Sequence, residues 1–307
     1  MTTTALSKKD QYTGISLAII AVIIWSGNFI ISRAVNRQIG PVSLAFFRWF
    51  TATAIIAPLA WKKFRVEKNI VFLNWKYIFW TSLTGITLFN TLVYVSGHYT
   101  TAINMALIGT TSSPVFAIIL AMIFLKEKLT PLRLLGMLTC ISGILLLLSK
   151  GSWQTLASFR FSTGDLWILA AALAFGIYSM LVKKKPAGIS PLNFLFVLFL
   201  SGTIMLFPFF LVDHFTGGPI QWNNVLTGSI LYLGAGTSVI AFLCWNLAIQ
   251  KLGTSGTVLF GNLIPVFSAM EAVWLLGETI SNIQLISGLI VITGLVLANS
   301  HFKKQSA

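Results

Sequence analysis

The sequence predicts an all-α integral membrane protein, with ten transmembrane helices arranged as two inverted five-helix repeats. Three observations predict it. Of the 307 residues, 56% belong to the AVILMFWYC set and only 9% are charged, and mean hydropathy is +0.86; soluble domains carry roughly 25% charged residues. The apolar residues fall into ten runs of bilayer-spanning length. The second half of the chain repeats the first at a nearly fixed offset.

A bilayer core of about 30 Å needs roughly 20 apolar residues at about 1.5 Å each. Runs of that length predict helices near 14–34, 41–61, 75–96, 102–125, 131–149, 164–182, 191–212, 225–249, 254–276 and 283–300. The first run is too long for a signal-peptide core and ends in Arg33 without a small-residue cleavage site, so it is expected to stay in the membrane. The connections are short and hold most of the charge. With the N-terminus cytoplasmic, sixteen Lys and Arg face inward, including the clusters Lys62–Lys68 and Lys183–Lys185. Only Arg33, Arg37, Lys150 and Arg160 face outward, and Arg48 lies within a helix. That bias places both termini in the cytoplasm and expects a multi-pass protein of the cell (inner) membrane. Trp61, Trp75, Trp80, Trp153, Trp167 and Trp222 sit near predicted helix ends, where an interfacial belt belongs. Cys140 and Cys244 lie inside apolar runs and read as small core residues.

A shift of 151 aligns Gly85 with Gly236, Pro114-Val115-Phe116 with Pro265-Val266-Phe267, Glu127 with Glu278 and Gly143 with Gly294. Near the start of each half a shift of 150 aligns Gly14 with Gly164 and Pro41 with Pro191. Leu, Ile and Val match by chance in apolar helices; Gly, Pro and Glu in register are harder to produce that way. The first repeat is read as residues 12–150 and the second as 161–300, together forming one transport unit. Five helices is an odd number, so the second copy must enter the membrane from the opposite side. Inverted repeats suit alternating access around a site at the repeat interface.

Trp25-Ser26-Gly27-Asn28-Phe29 in the first helix, Pro41 followed by Phe47-Arg48 in the second, and two copies of Pro-Val-Phe followed by Leu-x-Glu at 127 and 278 carry a likeness. Over about residues 12–300 the chain resembles the drug/metabolite transporter superfamily, in its ten-helix (EamA-type) amino-acid and metabolite exporter branch. The resemblance implies solute efflux through a central cavity lined by helices 1–4 and 6–9, with helices 5 and 10 peripheral. It does not fix the substrate.

Polar groups inside the membrane are costly, which makes them functional candidates. Glu271 is the one acidic residue deep in an apolar run and is a candidate for proton or substrate-amine coupling. Arg48, about seven residues into the second helix, either holds a substrate carboxylate or snorkels to the outer interface. Trp25, Asn28, Asn90, Tyr94, Tyr99, Asn104, Phe175, Tyr178, Trp245, Asn246 and Asn262 are expected to form an aromatic cavity with a few amides. Trp25 with Phe175, and Tyr94 with Trp245, occupy equivalent repeat positions. Such a lining suits a flat, partly apolar solute that carries a charge, so amino acids, aromatic or cationic ones favoured, or related metabolites and drugs are the expected substrates. Pro114 and Pro265 are expected to kink their helices as hinges. Glu127 and Glu278 open the connections into helices 5 and 10, where a carboxylate complements free helix N–H groups.

The net charge of +14 suggests nucleic-acid binding only if the cations form one face, and here they lie between apolar runs. No Walker-type phosphate loop, no metal-ligand spacing and no local catalytic triad occurs in the sequence. The expected partners are a small-molecule substrate and the lipid bilayer, with no nucleic acid, no cofactor and no metal, in a monomer or weak dimer. An intramembrane enzyme, a channel or a structural membrane subunit are the alternatives to a carrier.

Overall fold

The computed structural model describes residues 8–35, 38–96, 99–100, 102–157, 161–216, 218–276 and 281–299. Every element in it is helical: α1 Lys8–Val35, α2 Pro41–Leu73, α3 Trp75–Ser96, α4 Ala102–Leu125, α5 Pro131–Leu148, α6 Thr163–Lys183, α7 Pro191–Thr216, α8 Asn224–Leu252, α9 over 254–276 and α10 Asn282–Asn299. A short helix at Trp153–Ala157 lies in the connection between the halves. Among the described residues nine helices are long and apolar enough to cross a bilayer. The exception is α9, which is broken along its length. Apolar side chains such as Leu59, Ile123, Leu138, Ile204 and Val296 are exposed on the outside of the bundle, as a lipid-facing surface requires.

Several helices depart from the expected spans. The second was expected to end near residue 61, but α2 runs 33 residues to Leu73, about 50 Å at ~1.5 Å per residue. Lys62–Lys68 form no loop, since nothing there breaks a helix and Lys, Arg and Glu favour one. The last turns of α2, with their cations, therefore project beyond the bilayer core. Asn74 alone separates α2 from α3, its backbone N–H donating to the carbonyls of Ile70 and Val71. The α3 helix contains a π-helical stretch at Leu83–Leu88 and α8 contains one at Tyr232–Ile240, each including one of the repeat-matched glycines. In α9, residues Thr254–Val258 are α-helical, Leu259–Leu263 form a 3₁₀ turn and Ile264–Leu276 resume the α-helix. Pro265 has no N–H to continue the ladder, and the tighter turn falls immediately before it.

Helix starts are fixed by side chains drawn from distant helices. Pro41 opens α2, and Asp213 near the end of α7 accepts from the Ser43 N–H (3.0 Å) and hydroxyl (2.5 Å). In return Glu67, near the end of α2, accepts from the N–H (2.9 Å) and hydroxyl (3.1 Å) of Ser190 and from the Asn193 amide (2.7 Å) at the start of α7. Carboxylates at these positions satisfy free N–H groups and complement the helix dipole. Helices pack chiefly in the pairs α5–α10, α2–α7, α4–α6, α3–α6, α1–α8, α2–α8, α3–α7 and α1–α9. Exchanging each helix with the one five places away maps this set onto itself. The α5–α10 pair is closest: a Cβ added at Gly136 would lie 2.4 Å from the Gly294 carbonyl oxygen.

Candidate functional site

A cavity of about 930 Å³, open mouth included, lies between the halves. It is lined by Trp25 and Asn28 of α1, Arg48 of α2, Phe89, Asn90 and Val93 of α3, Gly109, Ser113 and Pro114 of α4, Ile168 and Phe175 of α6, Phe242 and Trp245 of α8, and Val258, Gly261 and Ile264 of α9. All seven helices are among those the resemblance implied.

Arg48 organises one wall. It is 2% exposed, so it points into the bundle and does not snorkel outward. Its Nε donates to the Ser238 hydroxyl (2.8 Å). Its Nη1 donates to Asn90 Oδ1 (3.0 Å), the Tyr94 hydroxyl (3.2 Å) and Asn28 Oδ1 (3.3 Å). Its Nη2 reaches the Thr237 carbonyl at 3.5 Å. All of these partners are neutral. Removing a cation from water costs several kcal/mol even after relaxation, and no carboxylate among the described residues hydrogen-bonds to it. Asp10 pairs with Lys251, Glu67 and Asp213 cap α7 and α2, and Glu127 caps α9. Asp165 accepts from the Ser162 N–H and the Thr100 hydroxyl at the start of α6, and Glu271 meets Ser26. Glu278 lies outside the described residues, as does the side chain of Asn104.

The opposite walls are aromatic. The Trp25 ring lies 4.9 Å from Trp245, 5.5 Å from Phe242 and 6.0 Å from Phe175, and Phe89 lies 4.7 Å from Phe175. Trp25 is fixed by its indole N–H, which donates to the Thr237 carbonyl (2.8 Å). Two buried donors beside the cavity, Asn90 Nδ2 and Trp245 Nε1, find no acceptor among the described residues.

The remaining predicted residues fall around the cavity. Tyr94 supports Arg48 from behind. Tyr178 is fully buried and donates to Asn246 Oδ1 (2.6 Å), a pair that does not line the cavity. Asn262 is buried in the 3₁₀ turn of α9. Tyr99 is 60% exposed on the α3–α4 connection, away from the lining. Pro114 lines the cavity from within α4, and Pro265 follows the 3₁₀ turn. Glu271 is also off the lining: its Oε1 lies 2.5 Å from the Ser26 hydroxyl, on a face of α1 that packs against α9 and Tyr232 of α8. The helix that Glu127 caps is not the one expected. Its oxygens accept from the N–H groups of Thr254 and Ser255, both at 3.1 Å, so it caps α9 of the other half, while Thr130 caps α5. Sequence reasoning missed Phe89, Phe242, Thr237 and Ser238. The adjacent hydroxyls of Thr237-Ser238 inside an apolar run were the available signal.

One end of the bundle is tightly joined. Around the Glu127 cap, Lys183 donates to the Ile249 (3.4 Å) and Gln250 (3.0 Å) carbonyls, the Thr254 hydroxyl donates to the Ser179 carbonyl (3.3 Å), and Lys251 pairs with Asp10. Together these contacts join α1, α6, α8, α9 and the α4–α5 connection. Asn28, Val93 and Ile168 of the cavity wall sit toward the opposite ends of their helices.

Fold and site thus describe a multi-pass helical membrane protein with a cavity between its two halves that has one polar wall and otherwise aromatic and apolar ones. The model of the EamA-like transporter family matches residues 12–149 and again 162–300, and the chain belongs to that family of transporters. An uncharacterised transporter of Bacillus subtilis (strain 168) is 30% identical over 97% of this chain and 99% of its own. A probable terminal-alkyne amino-acid exporter of Streptantibioticus cattleyicolor is 29% identical over 61% of each chain. A crystal structure with 16% identity superposes with a TM-score of 0.77, covering 96% of this chain and 99% of that one, and shares its fold.

Proposed function

We propose that this protein exports small organic solutes, amino acids or related metabolites and drugs, by alternating access through the central cavity. The observation that carries the reading is a cavity at the contact of two halves that is closed at one end by interhelical bonds. The double match of the family model and the exchange-symmetric packing support two copies of one five-helix unit, 12–150 and 161–300, inverted in the inner membrane. With both termini cytoplasmic, the sealed end is the inner one and the cavity belongs to the outer half. Rocking of the halves would break the Glu127 and Lys251 contacts, which cross between them, and form equivalent ones at the other face. The relative named as an amino-acid exporter supports amino acids as cargo.

Glu271 is assigned to coupling. Two oxygens lie 2.5 Å from the Ser26 hydroxyl, the Ile23 carbonyl and Glu271 Oε1. Ser26 has one proton for two short contacts, and the other carboxyl oxygen of Glu271 is buried without a partner among the described residues. Behind α1 the carboxyl reaches the cavity only through helix movement, which makes it a proton carrier in preference to an amine ligand.

The test is counterflow in liposomes with the purified chain, across amino acids, nucleosides and organic cations. Saturable flux stimulated by solute on the far side is expected. An ohmic current or chemical turnover of the solute would instead identify a channel or an enzyme.

A further inference from the structure

We propose that the cavity is an oxyanion site: Arg48, Asn90 and Trp245 hold the carboxylate of a solute whose flat, apolar body lies among Trp25, Phe175 and Phe242. The proposal rests on the transport reading and names the chemical class of its cargo.

Three facts carry it. First, Arg48 is the one charged residue among the described residues of the lining, and six of the seven acidic residues of the chain hydrogen-bond or pair elsewhere, the seventh being Glu278 outside the described residues. A buried, hydrogen-bonded cation without a carboxylate partner attracts an anion. Second, its donors are unequally used. Nη1 has three acceptors for two N–H groups, whereas Nη2 has one acceptor at 3.5 Å. Third, the polar atoms left over are donors. Arg48 has no acceptor to offer, so Asn90 must turn its oxygen to the guanidinium. That orientation leaves the Asn90 NH₂ unpartnered among the described residues, 4% exposed and on the cavity wall. Trp245, 1% exposed and also on the wall, has an indole N–H in the same condition, and indole donates only. A carboxylate supplies acceptors for these donors and charge for the guanidinium. An ammonium alone supplies neither and meets a like charge. The aromatic-or-cationic expectation from sequence thereby narrows to aromatic or apolar acids, amino acids included by virtue of their carboxylate.

Binding separates this inference from the transport reading. The purified full-length chain is titrated, by thermal shift and intrinsic fluorescence, with matched probes on phenyl, indolyl and alkyl bodies: the carboxylate, the amino acid, its amide and the amine. The same probes are used as competitors of counterflow in liposomes. Carboxylates and amino acids are expected to bind at least about tenfold more tightly than the matched amides and amines. Trp245→Phe, which keeps an aromatic ring at this position, should weaken carboxylates several-fold more than it weakens the matched amines. Asn90→Asp, which sets an acid beside Arg48, should abolish the preference for carboxylates even where Arg48 variants fail to fold. Amines or amides binding as tightly as acids, or no probe binding, would overturn the proposal. Binding with this preference but without flux would overturn the transport reading and leave the proposal standing.

Discussion

At the scale of single residues, Arg48 and Glu271 show how much context decides. Arg48 holds the oxygens of Asn28, Asn90, Tyr94 and Ser238, and removing it orphans several buried groups, each costing about 1–3 kcal/mol. Arg48→Gln should therefore lower unfolding stability in detergent by roughly 2–4 kcal/mol. Arg48→Lys should recover only part of the loss, because an ammonium lacks the planar fork that reaches both Ser238 and Asn90. Full stability of the glutamine variant would contradict this network. For Glu271 the readout is kinetic. Glu271→Gln should fold normally and show flux that no longer varies with pH, whereas an unchanged pH profile would exclude Glu271 from coupling. Tyr232 of α8 also faces this pocket of α1 and α9, within electrostatic reach of both Glu271 and Arg48, and its Phe variant should keep the pH dependence.

What was legible at this scale followed residue chemistry. Intramembrane Arg48, Asn28, Asn90, Trp25 and Trp245 stood out because polar or bulky amphipathic groups are costly in lipid, Phe175 stood out only as the repeat equivalent of Trp25, and all line the cavity. Tyr99, Tyr178, Asn246 and Asn262 carry the same signal and sit elsewhere. Residue type reports that a polar group needs a partner, and another buried side chain serves as well as a solute. Phe89 and Phe242 were invisible because an apolar wall residue looks like any lipid-facing one.

At the scale of elements, close approaches and caps set the architecture. Gly136→Ala would put a methyl 2.4 Å from the Gly294 carbonyl oxygen and 2.5 Å from Ala298 N, both backbone atoms. It should destabilise the α5–α10 pair by about 1–3 kcal/mol, as overpacking does. Gly228→Ala, within α8 and with nothing within 4 Å of the new methyl, should be neutral or slightly stabilising. Comparable losses at the two sites would contradict the packing. The reciprocal caps make a second prediction. Glu67 lies past the membrane segment of α2. Burial disfavours its charge, but hydrogen bonds from the Ser190 backbone, Asn193 and the Ser190 hydroxyl, together with nearby Lys63, outweigh it and hold the carboxyl below the usual carboxylate range. A folded-state value below the unfolded one adds stability that is full above the unfolded value and is lost as pH falls through the folded one. Between about pH 6 and pH 3 the wild type should lose more stability than Glu67→Gln; parallel losses would contradict the cap. Helix existence was legible here because apolar length signals it directly. The helical extension through Lys62–Lys68, the π stretches and the capping of α9 by Glu127 were not, because they depend on partners remote in the chain.

At the scale of the whole molecule, alternating access requires two copies of one five-helix unit facing each other upside down, so that opening at one face is coupled to closing at the other. Periodic Gly, Pro and Glu made the repeat readable, and the family match falls on both halves. Orientation rests on the Lys and Arg distribution alone. The most direct test is sidedness. In a background with Cys140 and Cys244 replaced by alanine, single cysteines at positions 68, 153 and 251 are labelled with a membrane-impermeant maleimide in oriented vesicles. Cysteines at 68 and 251 are expected to react from the cytoplasmic side and the one at 153 from the outer side. Reaction of 68 and 251 from opposite sides would contradict the inverted arrangement and the alternating-access mechanism built on it.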